Sequence, residues 1–391
     1  MKQIADLDTL RTVIASRQAD LLSRIEQLAQ IESPSDDAAA INRAVDFVEA
    51  WGASLGSRVK RHKNLKNNAQ TFGDVLELHF KPRRKNKDPG PILVLGHLDT
   101  VWPLGTLSKM PVVMRDGRLY GPGVYDMKAG IAMALTALQA LIAVDRLTQP
   151  VTLLLVSDEE IGSTVSRPIT EKLALQASSV FVLEPAQGPI GAYKTARKGV
   201  GAYRLEVRGV AAHSGVDFAA GHSAILELAR QIDVIGGFTD LERGITVNPG
   251  VIGGGTRSNV IAASAWLEID VRVPKKADVN RIERRLRSLK PFDRRCSLSL
   301  TGGLNRPPME RTSGTVALFR RAATLAHHLG FELQEAATGG GSDGNFTSAL
   351  GLPTLDGMGA VGHGAHASDE SILIDALVPR TVLLAAMMGE L

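Results

Sequence analysis

The sequence predicts an α/β fold: a mixed, mostly parallel sheet flanked by helices, with a smaller inserted α+β domain of two helices on a four-stranded antiparallel sheet. Three observations predict it. Runs apolar on both faces, Ile92 to Leu95, "VTLLLVS" (151–157) and "VFVLEP" (180–185), read as central strands. They alternate with helical stretches, the arrangement that covers a sheet on both sides. From about Lys198 the pattern turns to apolar–polar alternation, and it returns to helices after "GGLNRPPME". The larger domain, with the candidate site, is therefore expected over 1–197 and 304–391, and the insert over 198–303.

Taken in order, Leu21, Ile25, Leu28 and Ile31, then Ile41, Val45, Val48, Trp51 and Leu55, recur at helical spacing and predict two amphipathic helices. "DVLELHF" (74–80) alternates as a strand, and the basic "KPRRKNKDPG" (81–90) reads as a hairpin tip leading into "PILVLGHLDT" (91–100). A helix rich in Ala and Leu is expected from Asp126. In the insert, "GAYRLEVRGVAAHSG" alternates, "HSAILELARQIDVI" is helical, "TVNPGVIGGGTRSNVIAASAWLEIDVRV" reads as a hairpin and "VNRIERRLRSL" as a second helix. The end of the chain holds a Gly-rich turn, "TGGGSDGNF", and a helix from about Ala376.

A chain of 391 residues, 44% hydrophobic, is long enough for two ordinary domains. Its one cysteine, Cys296, excludes an internal disulfide and a Cys-based zinc site, and fits a reducing compartment. Asp6 and Asp8 interrupt what a signal peptide would need as an apolar run, and no window is expected to span a membrane, so the cytoplasm is the expected location. The net charge of +4, from 45 basic and 41 acidic residues, is small, and the basic runs at 81–90 and 281–295 lack interleaved aromatics. Neither nucleic acid nor a membrane is an expected partner.

Each central strand ends on a metal-ligating residue type. Gly96 leads to His97, Ser157 to Asp158, Glu159 and Glu160, and Leu183 to Glu184. In open α/β sheets, ligands bind beyond the carboxyl ends of the strands. If these strands are neighbours, His97, Glu160 and Glu184 meet at one rim, joined by Asp126 from the start of its helix. Crowded carboxylates raise one another's pKa unless a cation neutralises them. Histidine with carboxylates suits zinc, and this many carboxylates suits two ions with one carboxylate bridging. Asp99, two residues past His97, shares its face in extended backbone and is expected to accept the second imidazole N–H. Of Glu159 and Glu160, one would bind metal and the other would move protons. Alone, "HLD" reads as a turn and "SDEE" as a solvated helix start; together, at the ends of buried strands, they read as a site, because unpartnered buried carboxylates are costly.

"GHLDTV", "GPGVYDMKAG", "SDEEIGS", "VLEPA", "AAHSG", "GGGTRSNVIA", "DVRV", "GGGSDGN" and "GAHASDE" follow one another along nearly the whole chain. In these motifs the sequence resembles the co-catalytic dinuclear zinc peptidases and deacylases. That family includes the glutamate carboxypeptidases of the carboxypeptidase G type, acetylornithine deacetylase, succinyl-diaminopimelate desuccinylase and aminoacylase. "GPGVYDMKAG" and "RPPME" are closest to the glutamate carboxypeptidase branch. The resemblance implies two Zn2+, with Co2+ or Mn2+ as substitutes that such ligands also accept. His97 and Glu184 would bind one ion each, Asp126 would bridge, and Glu160 and His366 would complete the two shells. His366, before "ASDE", is preferred to His363. Met127 stands where some relatives carry a second Asp.

The resemblance further implies Glu159 as general base, Asp99 as the orienter of His97, and His213 as the oxyanion donor, contributed across a homodimer formed by the insert. Arg272 would fork two donors onto the substrate's α-carboxylate, with Asn259, the backbone at Gly341 and Arg306 as further gripping positions. The expected reaction is hydrolysis of an amide to an amino acid with a free α-carboxylate, glutamate or aspartate first, in an N-acyl amino acid or short peptide. The alternatives are a deacylase or dipeptidase of other side-chain preference, and a silent binder of amino-acid conjugates. An intact Glu159 argues against the binder.

Overall fold

The structure, a computed structural model, describes residues 2–67, 70–83 and 90–389. Residues 84–89 of the basic run therefore lie outside the described residues. The chain divides into two compact units: Met1–Thr195 with Arg311–Ala337 and Ser342–Leu391, and Ala196–Glu310 with Thr338–Gly341.

The larger unit opens with α1 (Lys2–Ala15), α2 (Gln18–Ala29) and α3 (Ala38–Ser54). Its main sheet contains β1 (Arg58–His62), β2 (Val75–Phe80), β3 (Ile92–His97), β4 (Val151–Val156), β5 (Ser179–Val182) and the short edge strand Thr354–Leu355. The order is β1-β2-β4-β3-β5-edge. From β4 to the edge all strands are parallel, while β2 runs antiparallel to both β1 and β4. The strands β2 and β3 are thus not partners, since β4 lies between them, and the expected hairpin tip falls largely outside the described residues. The reason lies in β3, whose two apolar faces call for a central seat.

That seat is buried on both sides. Ile92 and Val94 join Val151, Leu153 and Leu155 in the core that α1, α2 and α4 (Ala129–Ala143) complete. Leu93 and Leu95 join Leu154 and Val156 on the other side, against Leu173 and Ala174 of α5 (Arg167–Ala174). Full burial of one such side chain stabilises by about 1.5–3 kcal/mol, so no register slip is tolerated. The segment Val124–Ala143 is, contrary to the sequence expectation, long and apolar enough to cross a membrane by length and composition. It is apolar all round because it is a core helix, with every residue from Ile131 to Leu138 buried.

In the smaller unit β6 (Gly199–Arg208), β7 (Thr246–Gly254), β8 (Ser264–Val273) and β9 (Ser297–Arg306) form an antiparallel sheet in the order β7-β8-β6-β9. Alternation along β8 buries Leu267, Ile269 and Val271 under α6 (Ala224–Gly236) and α7 (Lys276–Arg287), and leaves Glu268, Asp270 and Arg272 on the other face. Ser223 caps α6 by accepting the Leu226 N–H at 3.3 Å.

Candidate metal centre

Strands β4, β3 and β5 lie side by side, and their register sets the site. His97 pairs with Val156, and Leu95 with Val182, so the residues just past Val156 and Val182 emerge level with His97. Asp126 arrives differently from the expectation. It sits not at the start of α4 but in an irregular turn, Val124–Lys128, where Asp126 and Met127 have non-helical dihedrals and the peptide joining them is cis. Its backbone N–H groups are held by Glu370, whose carboxylate accepts from the amides of Gly123 (2.9 Å), Tyr125 (2.9 Å) and Asp126 (3.0 Å) and from Trp102 Nε1 (2.8 Å).

Asp126 has a partner on each oxygen. His97 Nε2 lies 3.1 Å from Oδ1, and His366 Nε2 lies 3.5 Å from Oδ2. Glu184 Oε1 is 3.7 Å from His97 Nε2, and Glu160 Oε2 is 3.2 Å from His366 Nε2. The expectation that His97 and Glu184 serve different ions therefore gives way to a pairing on one side of Asp126, as the level ends of β3 and β5 require. His366 and Glu160 form the other side. Two triads, His97 with Asp126 and Glu160, and His97 with Glu159 and Glu184, each bring one ligand atom per residue within 4.8 Å of the others. Among the described residues, Glu160 Oε1 is buried without a hydrogen-bond partner. Orphaned carboxylate oxygen, clustered acids and imidazole nitrogens together fit divalent cations of the zinc type.

Electrostatics couple the same residues to one another. Burial alone would raise the Asp126 carboxyl, but hydrogen bonds from His366 and His97 outweigh it and hold it far below the usual carboxylate range. Burial would lower His97, yet its bond to Asp126 lifts it well above an ordinary imidazole. Bonds to Asp126 and then Glu160 push His366 up to about 10.

The loops around these ligands are tied down by buried acids. His97 Nδ1 donates to the Asp99 carbonyl oxygen at 2.9 Å, and Nε2 donates to Asp126 Oδ1 at 3.1 Å. The expectation gave the Nδ1 bond to the Asp99 carboxylate, which stands 3.6 Å away. The carboxylate is occupied elsewhere: it accepts from the Ser35 hydroxyl at 2.7 Å and from the amides of Glu159 (3.2 Å) and Glu160 (3.1 Å). Burial pushes its pKa up to about 6. Asp158 accepts from the amide of Val165 at 2.7 Å, and Ser163 donates to Asp343 at 2.5 Å.

His366 adopts a left-handed φ of 63°, uncommon for a residue with a Cβ. His363 points elsewhere, bonded to Arg118 (3.0 Å) and Asp369 (3.1 Å). Sequence reasoning missed Glu370, Ser35 and Asp343 as organisers; Glu370 and Asp343 lay inside quoted motifs, "GAHASDE" and "GGGSDGN".

The remaining candidates belong to the smaller unit. His213 is exposed, and its Nδ1 accepts from the amides of Gly215 (3.1 Å) and Val216 (3.2 Å), so Nε2 carries the proton and is a donor. Asn259 is exposed beside it, its carbonyl accepting from Ser214 at 3.0 Å. Arg272 does not present a free fork. Its Nε and Nη2 are both on Asp270, at 2.8 and 2.9 Å, because residues two apart on a strand share a face; Nη1 reaches the Gly339 carbonyl at 3.3 Å. Arg197, absent from the sequence reading, donates to the carbonyls of Gly340 (3.2 Å) and Gly341 (3.0 Å). Arg306 is buried with its Cδ so near Gly341 that a Cβ there would approach it to 2.7 Å.

Residues 93–390 match the family model "Peptidase family M20/M25/M40". The chain belongs to that family. It is accordingly a metallopeptidase-type hydrolase. Carboxypeptidase G2 from Pseudomonas sp. (strain RS-16) is 29% identical over 378 residues, 95% of this chain and 89% of that protein. Aminopeptidase PepT from Bacillus cereus superposes with a TM-score of 0.79 at 20% identity, covering 95% of this chain and 98% of that one. The M20 family metallo-carboxypeptidase Sso-CP2 from Sulfolobus solfataricus gives 0.71 at 18% identity, covering 94% and 98%. At these identities the two structures attest to the fold.

Proposed function

We propose that this family member is a two-zinc carboxypeptidase that cleaves an amide whose leaving group is an amino acid with a free α-carboxylate, glutamate or aspartate first. The observation that carries the reading is the two-sided Asp126, with His97 on one oxygen and His366 on the other. One ion would be held by His97, Glu184 and Asp126, the other by His366, Glu160 and Asp126. When bound, such a pair lowers the pKa of water and polarises the scissile carbonyl.

The protein's own groups do the rest. Glu159, half-buried beside His97 and Glu184, takes the proton of the attacking water and returns it to the leaving nitrogen. Asp99 holds the Glu159 and Glu160 amides and so fixes both side chains' origin. His213, with its proton on Nε2, donates to the developing oxyanion across the homodimer proposed below. Arg272 meets the α-carboxylate with the edge that Asp270 leaves, assisted by Asn259, Arg306 and the Gly341 backbone, whose turn Arg197 holds in place. A homodimer through the smaller unit is supported by exposed Phe218, Ile225, Leu226, Val251 and Ile252 there, the last two on the edge strand β7. The name of Carboxypeptidase G2 supports glutamate as the first substrate to test.

The test is a panel of N-acyl amino acids and dipeptides given to Zn2+-loaded protein, read by the mass of the released amino acid. Glu159→Gln should lower kcat by about 10²–10⁴-fold with little change in metal content. Equal turnover by that variant removes Glu159 from the role; release of neutral amino acids in preference to glutamate and aspartate shifts the reading to a deacylase or dipeptidase of other preference.

A further inference from the structure

The buried carboxylate of Glu370 has no place in the roles above. It is fully buried, yet it accepts four hydrogen bonds, all from one strip of chain, residues 102 to 126. The amides of Tyr125 and Asp126 both donate to Oε1, at 2.9 and 3.0 Å. The Gly123 amide and the Trp102 indole both donate to Oε2, at 2.9 and 2.8 Å. Residue 370 lies four positions past His366, and its own carbonyl accepts from Gly121 at 3.2 Å. One side chain therefore ties the loop that carries His366 to the turn that carries Asp126.

We infer that Glu370 is the positioning residue for the Asp126 carboxylate, setting its distance to His97 and His366 at once, with Trp102 as the indole clasp that fixes Glu370. This rests on the metal-site reading above. The Asp126 turn is irregular, so its amides have no helical acceptor, and an ionised carboxylate is the strongest acceptor a side chain can offer them. A glutamine in its place presents one oxygen and one NH2. If the oxygen serves Tyr125 and Asp126, the NH2 faces two donors, Gly123 and Trp102, and the turn must shift. Trp102→Phe removes only one donor and leaves the three amide bonds.

The experiment uses the full chain, freed of metal and titrated with Co2+ against a competing chelator, with the visible absorption band followed alongside. Glu370→Gln should weaken at least one of two Co2+ equivalents by about tenfold to a hundredfold, the range seen when partners of ligands are removed, and should shift the band. Trp102→Phe, which perturbs the fold least, should weaken it severalfold in the same direction. Wild-type affinity and an unchanged band in Trp102→Phe and in any folded Glu370→Gln protein overturn the inference, even if the melting temperature falls. Asp126→Asn separates the two readings. If it too binds Co2+ normally, the metal-site reading itself is wrong; if it loses Co2+ while the Glu370 and Trp102 variants do not, only the present inference fails.

Discussion

Gly130 offers the sharpest test of how packing sets the site. It lies in the first turn of α4, where alanine is the better helix former by about 1 kcal/mol. A Cβ there, however, would stand 2.4 Å from the carbonyl oxygen of Leu183, 3.2 Å from its Cβ and 3.4 Å from the Cα of Gly359. Carbon and oxygen in contact normally keep roughly 3.3–3.6 Å apart, so about 1 Å must be found. The obstacle is backbone and cannot rotate away. Overpacking of this kind costs about 1–3 kcal/mol, and after the propensity gain Gly130→Ala should lose up to about 2 kcal/mol. Leu183 precedes Glu184, so Co2+ affinity should fall as well. Urea unfolding followed by tryptophan fluorescence suits the question, since Trp51 and Trp102 report on the larger unit and only Trp266 on the smaller. Gly236→Ala is the control: it ends α6 with nothing within 4 Å of the new Cβ, and should be neutral or slightly stabilising. A Gly130→Ala protein with an unchanged or higher urea midpoint and normal Co2+ affinity would refute the packing argument.

Metal loading should release protons, because His97 is held well above its ordinary value and His366 at about 10, and a ligating imidazole must be neutral. Proton release on saturation is expected at pH 7.5, measured with an indicator dye in weak buffer; release of none would contradict the assigned ligands. Ser163→Ala removes a 2.5 Å donor from buried Asp343 and should cost about 1–2 kcal/mol, with kcat falling more than KM changes, since Ser163 ends the loop that carries Glu159. A pure stability loss at constant kcat would relieve this bond of any part in placing the loop. Burial would raise the Glu77 carboxyl, but Lys60 and His62 outweigh it and hold it below its ordinary 4.5. Its contribution is therefore complete above the ordinary value and lost as pH falls through the lowered one. Melting temperature against pH should fall less steeply on the acid side for Glu77→Gln than for the wild type, and parallel curves would count against it.

What could be read from the sequence was whatever a local pattern records. A strand with two apolar faces must be central, and a polar residue at its end must face the crevice, so His97, Glu160 and Glu184 could be grouped before any coordinates. The period-two alternation of β8 likewise announced which side chains leave the core. Partnership was another matter. Glu370 meets the Asp126 amide across 244 residues, and nothing in "ASDE" distinguishes a solvated acid from one that accepts four hydrogen bonds. The Asp99 carboxylate was assigned to His97 by proximity in sequence, yet two amides and a serine from elsewhere in the chain compete for it. Arg272 was read as free because its partner, Asp270, was read only as part of a strand. Strand order failed for the same reason: the basic segment joins consecutive strands, and only the burial demand of β3 shows that β4 must come between them.

These failures share a cause that bears on how the centre works. A crevice that concentrates Asp126, Glu159, Glu160 and Glu184 cannot hold them with further salt bridges, since each added cation would compete with the metals for the same oxygens. The acids that do the holding are therefore a different set, Asp99, Asp158, Asp343 and Glu370, and they act on backbone amides and hydroxyls rather than on charges. Backbone amides are present at every residue but proline and leave no trace in composition or spacing, so the positioning layer is invisible in sequence while the candidate ligands are conspicuous. The division has a mechanical consequence. His97 and Glu184 stand on or just beyond strand ends fixed by the core, whereas Asp126, Glu160 and His366 stand on turns whose geometry depends on those buried acids. The places of His97 and Glu184 are set by hydrophobic packing, and those of Asp126, Glu160 and His366 by hydrogen bonds, so a core mutation should act first on the His97–Glu184 pair, whereas a loop mutation should act on the His366 side and on the Asp126 that both sides share.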